Sequence, residues 1–504
     1  MMDSEGKYLI VRADAGTKIG TGHLMRCLAL AQAWKDAGHK VVFITACQNE
    51  NLLRRLHEEG FDTRPLTDPH PDSGDWTYTK DVLAAHPGAW VVLDGYHFDE
   101  VYQQQVKEIG HRLLAIDDMA HLKHYYADII LNQNLHAEQL QYSCEPYARL
   151  LLGTRYVLLR REFLVWKDWK REVPEIARRV LVTLGGADPE NHTLKVIQAL
   201  DKVEVTSLEA TVIIGASNPH AEELEAGARQ SRIHIQLVRD ASNMPELVAW
   251  ADVAIASAGT TCWELAWMGV PAALLTLADN QRRVAEELSR VGAATSLGRA
   301  HRVETPELLG KLVTFLNDND GRAAIAEHAK ALVDGEGVSR LLMLLKGEEL
   351  RLRRVREQDC RLLWEWANDP EVRESSFSPA PITWEEHVRW FTARLNDPHC
   401  FHFIGVDEND LPLGQVRFDL QGDEAEIDVS VDRQRRGQRY GSSLIEIGAE
   451  EMLLCTRARL IHGYVKPQNE ASIRAFTRAG FRDSGLEIVR GNQAVHLVKT
   501  KNAS

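Results

Sequence analysis

YLIVRADAGTKIGTGHLMRCLALA, residues 8–31, is the stretch that decides the fold. It begins as a short apolar run that stops at Asp14. Its middle is rich in glycine, and apolar residues then recur at helical spacing from His23 to about Ala37, where Gly38 closes the pattern. A buried strand, a glycine turn and a helix in that order open a parallel, doubly wound sheet. The pattern continues through KVVFITA (40–46), WVVLD (90–94), LLAID (113–117) and DIILN (128–132). The strand ends carry Asp14, Asp94, Asp117 and Asn132. Ligands in such sheets bind beyond the carboxyl ends of the strands, so these ends mark a candidate site.

The alternation restarts near Arg178 with RRVLVTLGG (178–186), EATVIIG (209–215), IHIQLV (233–238), DVAIASAG (252–259) and PAALLTL (271–277). The polar stretch WKDWKREVPEIA (166–177) reads as the connection. Two Rossmann-like lobes are therefore expected, over 1–170 and 171–346. After KGEEL (346–350) the texture changes. CFHFIGVD (400–407), LPLGQVRFDL (411–420) and EAEIDVSVD (424–432) read as an antiparallel meander. A helix over 441–454, a strand over 459–465 and a short helix over 471–480 follow. The expected class is α/β: two lobes, then a separate α+β domain over 350–500.

Composition agrees with three domains, since the chain has 504 residues. Its net charge of −14 argues against nucleic acid as the main partner. The seven cysteines form no CxxC pair, so neither a structural zinc site nor any other metal cluster is expected, and scattered thiols suit the cytoplasm. No signal-peptide pattern opens the chain, and no run of 18 apolar residues suggests a membrane span.

Two constellations carry chemistry. In the first, Gly20 and Gly22 bracket a strand-to-helix turn and His23 starts the helix. Glycines permit close backbone approach, and helix N-termini attract anions. A histidine there suits general-base work, and the competing reading is a helix-start histidine without chemistry. Further along, TLGGADPEN (183–191) puts Gly185 and Gly186 at a strand end, with Pro189 placed to open a helix and Asn191 beside it. SAGTTCWELAW (257–267) offers Ser257, Gly259, Thr260 and Thr261 as a donor-rich loop, with Glu264 one turn into the helix. LADNQ (277–281) adds Asn280 and Gln281.

The string VRADAGTKIGTGHLMRCLALA (11–31) resembles the opening of the UDP-sugar hydrolases of pseudaminic acid biosynthesis, and the resemblance runs over about 8–345. It implies a two-lobed GT-B fold. It implies that His23 is the base that activates water for attack on the anomeric carbon, with UDP leaving. It also implies a UDP-sugar site made of Asp14, Gly20, Gly22, Gly185, Gly186, Asn191, Ser257, Gly259, Thr260, Glu264, Asn280 and Gln281, in which Glu264 accepts from the ribose hydroxyls.

The second constellation is RRGQRYGSSL (435–444), directly after the strand EIDVSVD. Successive amides at the start of a helix can wrap a pyrophosphate. The string resembles motif A of the GNAT acetyltransferases, with Gln434 and Gly437 at motif positions and Arg439 where the family has a small residue. VKPQNEASIRAFTRAGF (465–481) resembles the other half of that site. The resemblance covers about 350–495. It implies acetyl-CoA as co-substrate, held by Val429, Val431, Arg436, Gly437, Gln438, Tyr440, Gly441, Ser442, Asn469 and Phe476. Phe476 stands where many members carry a tyrosine general acid, and Tyr464 is a candidate substitute. Glu426 and Asp428 share a strand face by alternation, and either can take the ammonium proton of an acceptor amine. Trp364, Trp366, Trp384 and Trp390 read either as core or as the wall of a sugar pocket.

Together the resemblances imply one bifunctional chain. It would acetylate the 4-amino group of UDP-4-amino-4,6-dideoxy-β-L-AltNAc and then hydrolyse the diacetamido product to free sugar and UDP. The rival expectations are another nonulosonate pathway, a GT-B glycosyltransferase with a fused acetyltransferase, and a non-catalytic nucleotide-sugar-binding protein.

Overall fold

The computed structural model describes residues 7–16, 19–215, 218–346, 350–407, 410–438 and 440–501. The chain forms two compact units, Met1–Leu342 and Met343–Ser504.

The first unit holds two parallel sheets. One is built from β1 (Tyr8–Ala13), β2 (Lys40–Thr45), β3 (Asp62–Pro65), β4 (Trp90–Asp94), β5 (Arg112–Ile116), β6 (Ile129–Asn132) and β7 (Arg149–Leu152), in the order β3-β2-β1-β4-β5-β6-β7. The other is built from β8 (Arg179–Thr183), β9 (Glu209–Ile214), β10 (His234–Arg239), β11 (Val253–Ser257), β12 (Ala272–Thr276) and β13 (Thr295–Arg299), in the order β10-β9-β8-β11-β12-β13. The central strands are apolar and buried, as strands covered by helices on both faces must be. The chain reverses direction across each sheet at one place, between β1 and β4 in the first and between β8 and β11 in the second. The loops leaving those strands diverge there and open a crevice. Register sets Ala13 beside Asp94 at the first crevice and Thr183 beside Ala256 at the second.

Three strands of this unit carry no clear sequence signal. β3 is the polar edge strand DTRP, β7 is a largely exposed edge, and β13 carries a register shift and the positive-φ Gly298. The crossing between lobes also begins earlier than the 166–177 stretch. Val157, Leu159 and Phe163 already belong to the core of the second lobe, with Leu181, Trp263 and Trp267.

The second unit is one mixed sheet of β14 (Arg351–Arg354), β15 (Cys400–Val406), β16 (Pro412–Gln421), β17 (Glu424–Val431), β18 (Leu460–Val465), β19 (Arg482–Val489) and β20 (Asn492–Thr500). Its order is β14-β15-β16-β17-β18-β20-β19, with β17 and β18 the parallel pair. The helix Tyr440–Cys455 covers one face, where Leu444, Ile445, Ala449 and Met452 pack on Val416, Phe418, Ala425 and Ile427. The helices Cys360–Ala367 and Trp384–Leu395 hold a smaller core of Leu363, Trp366 and Phe391 against Ile404 and Val406.

Candidate active sites in the two units

In the first unit, the turn after β1 folds back on itself, with Gly16 and Gly20 exchanging both backbone hydrogen bonds (3.1 and 2.8 Å). Gly20 takes a φ of +72°, which glycine alone adopts without strain. The helix Gly22–Asp36 follows, and its cap residue Thr21 makes no side-chain bond to it.

His23, on the first turn, points its Nδ1 at Asp94 Oδ1 across 2.6 Å. Asp94 also accepts two bonds from Arg26, Nε to Oδ2 at 2.6 Å and Nη2 to Oδ1 at 2.7 Å, and Arg26 Nη1 donates to Asp118 Oδ2 at 2.7 Å. Burial works against charge on Asp94, yet Arg26 and His23 hold its carboxyl well below the usual carboxylate range. An ionised Asp94 must accept, so His23 carries its hydrogen on Nδ1 and its lone pair on Nε2. The Tyr96 ring meets His23 edge-on, with centroids 5.0 Å apart, and its hydroxyl donates to Asp118. Burial first, then the Asp118 carboxylate, push the Tyr96 phenol up, so it stays a donor.

The loops of the second lobe close on the same turn. A Cβ on Gly186 would stand 2.7 Å from Thr21 Cγ2, and one on Gly22 would stand 3.4 Å from Thr260 Oγ1. Gly185, with a φ of +92°, has Ser257 Oγ 3.7 Å from its Cβ position, and Gly259 approaches the same hydroxyl. The Gly185–Gly186 loop and the Ser257–Thr260 loop thus meet the Gly20–Gly22 turn, after which His23 follows directly in the chain. Among these, Ser257 is buried and Thr260 half-buried.

In the second unit, β17 pairs with β16 along its whole length but with β18 only over Glu424–Glu426. Beyond the Glu426–His462 rung the two strands part, so the edge of Ile427–Val431 faces an opening. That edge includes Val429 and Val431. An extended ligand arm can bond to such a strand edge. The loop of Gly437, with a φ of +78°, and the first turn of Tyr440–Cys455, which holds Gly441 and Ser442, follow the end of β17 in the chain.

Two family models match. The model of the glycosyltransferase family 28 C-terminal domain covers residues 179–338, and that of the acetyltransferase (GNAT) domain covers 349–482. The chain is a fusion of a GT-B unit with a GNAT domain. An uncharacterized protein of Methanocaldococcus jannaschii is 22% identical over 94% of this chain and 96% of its own. The spore coat polysaccharide biosynthesis protein SpsG of Bacillus subtilis is 23% identical over 66% of this chain and 96% of its own. The UDP-2,4-diacetamido-2,4,6-trideoxy-β-L-altropyranose hydrolase of Campylobacter jejuni is 25% identical over 56% of this chain and 97% of its own.

Several residues expected in the GT-B site are engaged elsewhere. Asp14 is buried and takes a 2.6 Å bond from Arg12 and another of 2.6 Å from Ala46 N, so it braces β1 against the chain after β2. Glu264 is paired with Arg160, whose Nε donates at 2.9 Å. Burial pushes the Glu264 carboxyl up, and Arg160 opposes that rise. The helix expected at Pro189 starts instead at His192, because the Asp188 carboxylate caps the amides of His192 and Thr193. Asn191 sits before it with a φ of 54° and donates to Glu223. Gln281 accepts from the Leu277 amide at 3.1 Å, while Asn280 is exposed and interacts with Tyr96.

The GNAT domain shows similar reassignments. Arg436 is bonded by Asp369 (2.7 Å) and Glu371 (2.8 Å), so its guanidinium is held by carboxylates. Gln438 donates to the Gln434 carbonyl of its own loop. Asn469 caps the helix Glu470–Arg478 through the Ser472 amide. Phe476 is a core residue, packed on Phe481 and on the space above Gly463. Arg439 lies outside the described residues. Glu426 and Asp428 stand on the face opposite Tyr440–Cys455. Asp428 accepts from Gln415 Nε2 at 3.1 Å, and Gln415 Oε1 meets His402 Nε2 at 2.8 Å. Of the tryptophans, Trp366 is buried and bonded to Asp432, Trp364 and Trp384 meet edge-on, and Trp390 lies on this polar face under Arg417.

Sequence reasoning placed Asp94 at a strand end but gave it no partner. It included Arg26 in the motif around His23 without giving it a role, and it missed Tyr96, Asp118 and Arg160. The R of GTGHLMR, three residues after His23, is the one local signal among them, since that spacing shares a helix face.

Proposed function

We propose that the chain is a bifunctional enzyme of nucleotide-sugar metabolism. The observation that carries this is the His23 imidazole, oriented by the buried Asp94 carboxylate, on the turn that the glycine loops of the second lobe approach. His23 Nε2 takes a proton from water, and the water attacks the anomeric carbon of a UDP-linked sugar. The leaving diphosphate meets the amides and hydroxyls of Gly185, Gly186 and Ser257–Thr260. Binding of the ribose by Glu264 requires Arg160 to share that carboxylate.

In the GNAT domain, acetyl-CoA lies along the open edge of β17, with its pyrophosphate at the Gly437–Ser442 loop. The acceptor amine approaches from the face of Glu426 and Asp428, and one of them receives the ammonium proton. The amine attacks the thioester carbonyl, and the thiolate leaves and is protonated from Tyr464 or water.

The relative named as a hydrolase of UDP-2,4-diacetamido-2,4,6-trideoxy-β-L-altropyranose supports the sugar identity. On this reading the GNAT domain acetylates the 4-amino precursor and the GT-B unit hydrolyses the product. The test is a coupled assay with UDP-4-amino-4,6-dideoxy-β-L-AltNAc, following thiol, UDP and sugar mass. UDP release dependent on acetyl-CoA, with the diacetamido sugar as product, is the expected result. Thiol without UDP would sink the hydrolase assignment for this sugar. The glycosyltransferase match over 179–338 favours one rival, transfer of the sugar to an acceptor. Free sugar formed with no acceptor present decides against it.

A further inference from the structure

Four titratable side chains form a line across the GNAT sheet, one on each of four neighbouring strands. Glu424 on β17 contacts His462 Nε2 on β18 at 3.3 Å. His462 Nδ1 faces His496 Nε2 on β20 at 2.9 Å. His496 Nδ1 contacts Glu487 on β19 at 2.7 Å. The two imidazole planes are within 17° of each other, so a hydrogen on one nitrogen lies along the lone pair of the other. Tyr464 stacks on His496 with centroids 4.8 Å apart. Both histidines are largely shielded, with side-chain exposures of 17% and 10%, while Glu424 and Glu487 reach solvent.

This line starts where the opening starts. His462 is the register partner of Glu426, on the rung at which β17 and β18 separate. We propose that His462 and His496 are a two-imidazole proton relay that carries the ammonium proton of the acceptor amine away from the reacting centre to Glu487. The inference rests on the acetyltransferase reading of this domain. The ammonium N–H bond breaks, and the proton passes by Glu426 or water to His462 Nε2. His462 releases its Nδ1 proton to His496 Nε2, and His496 turns its Nδ1–H, which lies 2.7 Å from Glu487 without a hydrogen bond to it, into line with that carboxylate and releases the proton there. One proton enters and one leaves, and the amine lone pair becomes free to attack the thioester. One hydrogen lies in the bond between the two imidazoles, and Glu424, Glu426, Tyr464 and Glu487 are the titratable groups around the pair. These are positioning and relay residues rather than groups in contact with the thioester.

The test uses the full chain with His462→Gln and His496→Gln. Calorimetric titration with acetyl-CoA reports whether the domain binds its co-substrate, and so tests the underlying reading separately. Thiol release from the amino sugar is then followed against pH. The relay predicts acetyl-CoA affinity within about threefold of wild type, kcat lower by about 100-fold, and loss of the acidic limb of the kcat profile in both variants. Variants with wild-type kcat and an unchanged pH profile would overturn it. Histidine-selective 15N NMR gives a readout free of any substrate. The relay predicts that removing either imidazole moves the titration of the other, and two independent titrations would overturn it whatever the acceptor is.

Discussion

His23 and Asp94 lie 71 residues apart in sequence and 2.6 Å apart in space, and the carboxylate sets which imidazole nitrogen carries the lone pair. Replacing it with an amide keeps the shape and removes that choice. Asp94→Asn is expected to lower kcat for UDP release by about 10²–10⁴-fold with UDP affinity little changed. Steady-state kinetics beside UDP calorimetry checks this. His23→Ala should lose at least as much, and intact UDP release in it would remove the general-base assignment.

Gly186 gives a second test, because its missing Cβ is what lets Thr21 approach. Gly186→Val places carbon 2.7 Å from the Thr21 methyl and forces the two loops apart. UDP affinity should fall by about tenfold, and Thr21→Gly in the same chain should restore part of it. A double variant no better than the single one would show that the contact does not set the geometry.

Arg160 and Glu264 form a buried pair, with side-chain exposures of 4% and 12%. Arg160→Ala strips a buried carboxylate of its main cation and is expected to cost about 3 kcal/mol of stability. Glu264→Gln should cost less, because the amide still accepts from Arg160, but it should weaken UDP binding through the ribose. Denaturant unfolding and UDP calorimetry on the two variants separate these effects.

The GNAT loop offers a contrast between two neighbours. Arg436 is tied to Asp369 and Glu371, so Arg436→Ala should change acetyl-CoA affinity less than about threefold. Gly437 holds a φ of +78°, and Gly437→Val should strain the loop by about 1–2 kcal/mol and weaken acetyl-CoA by tenfold or so. Affinity lost equally in both would mean that Arg436 turns to the phosphates when ligand binds.

His402 predicts a pH dependence of stability. Burial, and then Arg417, push its imidazole down from 6.5 to about 4. The unfolded chain therefore binds a proton at His402 that the folded domain refuses. Its contribution is complete above pH 6.5 and is lost as pH falls toward about 4, amounting to about 3 kcal/mol in all. His402→Gln should lose less stability than wild type over that window. Parallel unfolding curves at each pH would contradict the assignment.

The sequence by itself determined the three-part organisation, most of the central strands and the glycine turns around His23, Gly186, Thr260 and Gly437. These are local matters: apolar periodicity and backbone freedom are written in consecutive residues. The polar edge strand Asp62–Pro65 and the exposed strand Arg482–Val489 left no comparable mark, because strands that bury little need no apolar pattern. Only the tertiary structure decided where the polar side chains spend their hydrogen bonds. It joined Arg160 to Glu264 across 104 residues, gave Arg436 to carboxylates, sank Phe476 into the core and lined His462 up with His496. The partner of a buried charge follows from strand order and register, which bring together residues that no spacing in the chain connects.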